Sequence, residues 1–273
     1  MVIRMMKRAL FSIFFAALVL NTTARAEDVN GDGWVTYLLP IALSANDVIP
    51  GAHGTQWTGE LWVHNASERS LSGLQPGNCL GGPCGIGLPA GSVGREGAID
   101  SNHGDGGALF WIPATVAEDF HFSARFLEIT RRAQPTGVEI PVIAEKDFLS
   151  SATTLLGIPV GKGIRVSLRV YDPRIQNGSA VRADLLSPDG ELLDTTTLRP
   201  GDDPVVPDEP FFGPTYNYPG AAAIHDLTGA FPQLQAFDHF HIRLTPLTGN
   251  VYWAMASITD NETQHVLLIT PQP

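Results

Sequence analysis

Two histidines one residue apart, His239 and His241, form the pair best suited to metal chemistry. In an extended segment both imidazoles leave on one face while Phe240 and Ile242 leave on the other. Two imidazoles at that spacing can share an ion, with His225-Asp226 or His265 as sources of a third ligand. The plainer reading is two exposed histidines on a solvated sheet face. A second, oxygen-rich run is Asp28-Val29-Asn30-Gly31-Asp32-Gly33. Its D-x-N-x-D-G order matches the first half of an EF-hand-type calcium loop, where alternate oxygen ligands and a turn-forming Gly suit a hard cation. The twelfth loop position is Leu39, where a bidentate acid belongs. Calcium at Asp28, Asn30 and Asp32 would need an acid from elsewhere, and the alternative is a polar tail.

The chain's other chemistry-bearing residues point to contact surfaces. Residues 199–220 carry Phe211, Phe212, Tyr216 and Tyr218 among prolines. Proline limits the entropy lost on binding, and exposed aromatic rings stack on sugars or anchor protein partners. The bland alternative is a long connection whose rings fold back onto the core. Trp62 stands on the polar side of its alternating segment, either a second contact point or a ring packed under a loop. Ala90-Gly91-Ser92-Val93-Gly94 approaches a nucleophile elbow, but Ala replaces the first Gly and the strand–turn–helix context is missing. No catalytic set is nominated.

Cys79 and Cys84 are the only cysteines. In an oxidising compartment they are expected to form a disulfide across a Gly/Pro-rich loop, since two thiols make only half a zinc site. That compartment is inferred from the first residues. Arg4, Lys7 and Arg8 precede an apolar run over residues 9–20, and Ala24-Arg25-Ala26 is a small-x-small cleavage site. Residues 1–26 therefore read as a signal peptide, and the mature chain as secreted, periplasmic or extracellular, with no integral membrane segment. The chain of 273 residues carries 17 Lys+Arg against 28 Asp+Glu. Residues 1–26 hold four of the cations and none of the anions, so the mature chain has 13 against 28 and a formal charge of −15. Such a surface repels nucleic acid and anionic lipid, and suits a cation, a neutral glycan or a basic partner as well as simple solubility.

These residues are held by an all-β chain. The 28 glycines and 21 prolines imply many turns. Residues 164–172 alternate Ile164, Val166, Leu168 and Val170 with Arg165, Ser167, Arg169 and Tyr171. Turn signals at Gln176-Asn177-Gly178 and Pro188-Asp189-Gly190 bound a second and a third strand. Together these predict a three-stranded meander with one wet face. Residues 34–44 read as a strand broken at Pro40. In residues 57–65, Trp57, Leu61 and Val63 share one face, and Thr58, Glu60, Trp62 and His64 the other. Residues 146–158 read as strand or short helix, and residues 224–234 as a short helix or turn with Asp226 as its cap. Strands close the chain over residues 237–246, 251–259 and 264–270. Residues 124–141 and 254–271 both join a strand, a polar turn and an apolar strand ending at proline. This echo suggests two related sandwich units, residues 27–135 and 136–273.

Leu39-Pro40, the run from Trp57 through Leu61-Trp62-Val63-His64-Asn65, Arg165 to Tyr171, and Trp253 to Gln264 followed by Ile269-Thr270-Pro271 together resemble secreted bacterial proteins of uncharacterised role. Those proteins are built from immunoglobulin-like β-sandwich units. The resemblance implies one or two antiparallel immunoglobulin-like units and carries no catalytic residues. The expectation is an exported, non-catalytic binding or adhesion module for a glycan or an extracellular protein. A cation-dependent enzyme acting on extracellular polymer and a structural envelope protein are the alternatives.

Overall fold

The computed structural model describes residue 29 and residues 31–41, 48–75, 84–96, 107–131, 137–174, 178–200 and 219–271. The signal segment 1–26, Asp28, Asn30, Cys79 and the loop aromatics Phe211, Phe212, Tyr216 and Tyr218 lie outside them, as does the side chain of Cys84.

The first group of strands is β1 (Trp34–Leu39), β2 (Ile49–Pro50), β3 (Gln56–Asn65), β4 (Leu71–Gln75), β5 (Cys84–Leu88), β6 (Val93–Glu96), β7 (Ala108–Pro113), β8 (Phe120–Glu128), β9 (Val138–Ile140) and β10 (Ile143–Ala144). The second is β11 (Thr153–Pro159), β12 (Ile164–Asp172), β13 (Val181–Leu186), β14 (Leu192–Leu198), β15 (Gly220–Ile224), β16 (His239–Pro246), β17 (Trp253–Asp260) and β18 (Val266–Ile269). One short α-helix, α1 (Leu227–Ala230), is capped by Asp226, whose Oδ1 accepts the Gly229 N–H at 3.0 Å. β1 stops before Pro40, which has no N–H to give a neighbouring strand.

Among the described residues these strands form four antiparallel sheets. Sheet I runs β10-β1-β7-β4-β5, sheet II β2-β3-β8-β9 with β6 also on β3, sheet III β11-β16-β13-β14, and sheet IV β15-β12-β17-β18. Val35, Phe110 and Ile112 of sheet I share a core with Leu61, Val63 and Ala124 of sheet II. Leu185, Phe240 and Ile242 of sheet III share another with Val166, Leu168 and Ala256 of sheet IV. A third cluster joins Leu38, Leu109 and Ile143 to Tyr171, Trp253 and Met255, so the outward face of sheet I packs on that of sheet IV. The layers stack II–I–IV–III. Sheets I and IV are covered on both faces, which is why β7 and β17 are buried along nearly their whole length where β3 alternates.

Two expectations are corrected here. The predicted meander is split: β13 and β14 form a hairpin in sheet III, with Gly190 at φ 85°, whereas β12 lies in sheet IV between β15 and β17. Its supposed wet face is half buried, because sheet I covers Tyr171, which is fully buried. The division expected at residue 135 falls between β8 and β9, which pair with each other; the change of sheet pair comes between Ala144 and Thr153.

The two groups repeat one topology. β1-β7-β4-β5 corresponds to β11-β16-β13-β14, and β6-β3-β8-β9 to β15-β12-β17-β18, with β2 and β10 as additions. Register agrees residue by residue. Leu61 faces Ala124, which faces Ile140 across sheet II; Leu168 faces Ala256, which faces Ile269 across sheet IV. The internal echo thus falls on equivalent strand pairs, but the counterpart of Ala124 is Ala256 and not Ala254.

Candidate functional site

The outer face of sheet II is the end of the stack. Period two sends Leu61 and Val63 of β3 inward and Glu60, Trp62 and His64 outward. Antiparallel register then sets their neighbours. Trp62 lies between Arg95 of β6 and Ser123 of β8, and His64 between Val93 and His121. Glu60 faces Arg125.

Glu60 organises the patch. Its Oε1 accepts from the Arg95 guanidinium at 2.8 Å, and its Oε2 lies 3.5 Å from the Trp62 indole N–H, which points to it. The guanidinium Cζ sits 5.8 Å from the centre of the Trp62 ring, within cation–π range. A carboxylate two residues along the strand therefore holds a cation against an indole that stays 39% exposed. Val93, 60% exposed, extends the apolar surface beside His64. The His64 and His121 rings are 5.6 Å apart and inclined by 32°. Neither imidazole makes a hydrogen bond to the described residues. The arrangement offers an apolar plate rimmed by donors, which suits binding. No nucleophile and base are paired on it.

The other nominated residues are placed as follows. His239 and His241 do share a face, with ring centres 5.6 Å apart. However, His241 Nδ1 accepts the Gly157 N–H at 2.9 Å, at the bulge where β11 shifts register between Leu155 and Ile158. The imidazole caps a bulge with the lone pair a metal would need. Among the described residues no three His, Cys, Asp or Glu side chains converge on a metal position, so His225, Asp226 and His265 do not complete this pair. Of the proposed calcium ligands only Asp32 is described, and its Oδ1 accepts the Trp34 N–H at 2.9 Å. Ser92 donates to the Pro89 carbonyl at 2.7 Å, a turn contact. Asn65, at the end of β3, is fully buried and its Nδ2 donates to the carbonyls of Arg69, Leu88 and Pro89, so it closes a turn.

Of the buried carboxylates outside this face, Asp184 and Glu145 face arginines. On sheet III, Asp184 accepts from Arg243 at 2.8 and 3.2 Å and from Thr195 Oγ1 at 2.9 Å, with Arg182 at 3.2 Å. Burial pushes its carboxyl up, but the Arg243 and Thr195 hydrogen bonds and the two guanidinium charges outweigh it and hold the group below its ordinary value. Glu145, between β10 and β11, accepts the Thr36 N–H at 3.2 Å and lies 3.8 Å from Arg174. Here burial wins and the carboxyl is raised. Both carboxylates are thus placed beside arginine guanidinium groups.

Sequence alternation alone put Glu60, Trp62 and His64 together. Arg95 and His121 were missed because they join the face only through strand register. No helix among the described residues is long and apolar enough to cross a membrane. Comparison with protein-family profiles, with curated proteins and with solved structures gives no match.

Proposed function

We propose that this chain is an exported, non-catalytic binding module of two immunoglobulin-like units, and that the outer face of sheet II docks an extracellular glycan. The observation that carries the reading is the Glu60–Arg95–Trp62 arrangement, an indole kept exposed and oriented by a neighbouring ion pair. Sugar rings present apolar C–H faces to an aromatic plate and hydroxyls to surrounding donors and acceptors. Arg95, His64, His121 and Ser123 supply that polar rim. Because Glu60 pre-positions Arg95, less side-chain entropy is lost on binding. The aromatics of residues 199–220 are a second candidate surface outside the described residues.

The test is a glycan array with the wild-type chain and with Trp62→Ala. A sugar bound by the wild type should be lost in the variant. Retained binding would move the site elsewhere, and a protein captured with no sugar bound would make this face a protein contact.

A further inference from the structure

We infer that His64 and His121 form a two-imidazole site for a first-row divalent transition metal. The pair is built by register: His64 on β3 stands directly opposite His121 on β8. Metal–nitrogen bonds of about 2.0–2.1 Å place two imidazoles sharing a tetrahedral ion with ring centres about 5 Å apart. The 5.6 Å separation is close to that distance. The same spacing occurs at His239 and His241, but there Gly157 takes one ring nitrogen. On sheet II no described residue hydrogen-bonds to either ring.

The surroundings suit an open site. His121 is exposed and His64 half-buried, so water can fill the remaining coordination positions. Val93 flanks His64 on β6, and Trp62 and Ser123 occupy the next cross-strand position. The charges that strand register puts on this face are Glu60, Arg95, Arg125 and Glu139, with Glu60 paired to Arg95 and Glu139 opposite Arg125. Imidazole donors favour Cu2+ and Zn2+ over Ca2+ and Mg2+, and the divalent series puts Cu2+ first. The inference does not depend on the glycan reading.

The experiment uses the untagged full-length chain titrated with CuCl2, and separately with ZnCl2, by calorimetry. Electron paramagnetic resonance of the Cu2+ form counts nitrogen ligands. One ion per chain is expected, with two imidazole nitrogens and an affinity for Cu2+ above that for Zn2+. His64→Gln and His121→Gln should each weaken Cu2+ at least tenfold, while His241→Gln leaves it unchanged. Circular dichroism checks that each variant folds; both positions are on the surface, so folding should hold. Absence of binding, or binding that survives the double His64→Gln/His121→Gln change, overturns the inference.

Discussion

Asn65 and Asp172 end equivalent strands of the two sheet pairs, both are fully buried, and each closes the same turn. Asn65 Oδ1 accepts the N–H of Ser67 at 3.0 Å, and Asp172 Oδ1 accepts that of Arg174 at 2.9 Å. The acceptor oxygen is common to both side chains, but the other half differs. Asn65 Nδ2 donates to three carbonyls, two of which, Leu88 and Pro89, lie across the sheet edge. Asn65→Asp would put carboxylate oxygen against those carbonyls. An uncompensated buried charge costs about 3 kcal/mol or more. Asn65→Ala, which leaves the carbonyls unpaired without adding charge, should cost about 1–3 kcal/mol. Urea denaturation midpoints of the two variants check the order.

Asp184 should support the fold from neutral down to mildly acid pH. Its folded carboxyl titrates below the unfolded one, so its contribution is present above the unfolded pKa and is lost as pH falls through the folded pKa. Asp184→Asn should flatten the acid limb of a plot of thermal midpoint against pH. An unchanged limb would mean that the Arg243 and Thr195 hydrogen bonds do not favour the ionised form.

Glu145 has the opposite sign. Its folded carboxyl is raised, so its contribution is full below the unfolded pKa and is lost as pH rises through the folded pKa. Glutamine keeps an acceptor for the Thr36 N–H without the cost of a buried charge. Glu145→Gln should therefore hold or raise the thermal midpoint at neutral pH and steepen its rise from acid to neutral. A fall at neutral pH would show that the Arg174 pair outweighs burial.

The layer between sheets I and IV ties the two units together through Leu38, Leu109, Tyr171, Trp253 and Met255. The Trp253 and Tyr171 rings lie 6.3 Å apart within it. Truncating a buried Trp costs about 3–5 kcal/mol. Trp253→Ala should lower the stability by that amount and separate one calorimetric transition into two. A single transition at an unchanged midpoint would contradict the coupling.

Much of this architecture is legible in the sequence. Alternation identified β3 and β12, and the glycine turns marked the ends of β13. What alternation cannot convey is which sheet a strand joins. Asn177-Gly178 and Asp189-Gly190 are the same chemical signal, yet only the second closes a hairpin. A turn dipeptide says the chain reverses; long-range packing decides whether the next strand pairs with the last. The same limit hid the site. Glu60, Trp62 and His64 share a face by spacing alone, whereas Arg95 and His121 reach it through register set by the core positions Leu61, Val63 and Ala124. Nor does the spacing of His239 and His241 reveal that the bulge at Gly157 engages His241 Nδ1.

The ion pair that positions the indole should matter as much as the indole itself. Glu60→Gln removes the charge that holds Arg95 over Trp62, at an exposed pair worth about 1 kcal/mol or less to stability. Folding should be unaffected, while glycan affinity falls through lost pre-organisation. Equal affinity in Glu60→Gln and wild type would reduce Trp62 to a passive surface ring.

The most direct measurement is the affinity of wild type and Trp62→Ala for the strongest glycan on an array, by calorimetry, with matched thermal midpoints. The account predicts a loss of tenfold or more in the variant, about 1.4 kcal/mol or above, with the fold intact. Equal affinity in both proteins, or no glycan bound by the wild type, would contradict it.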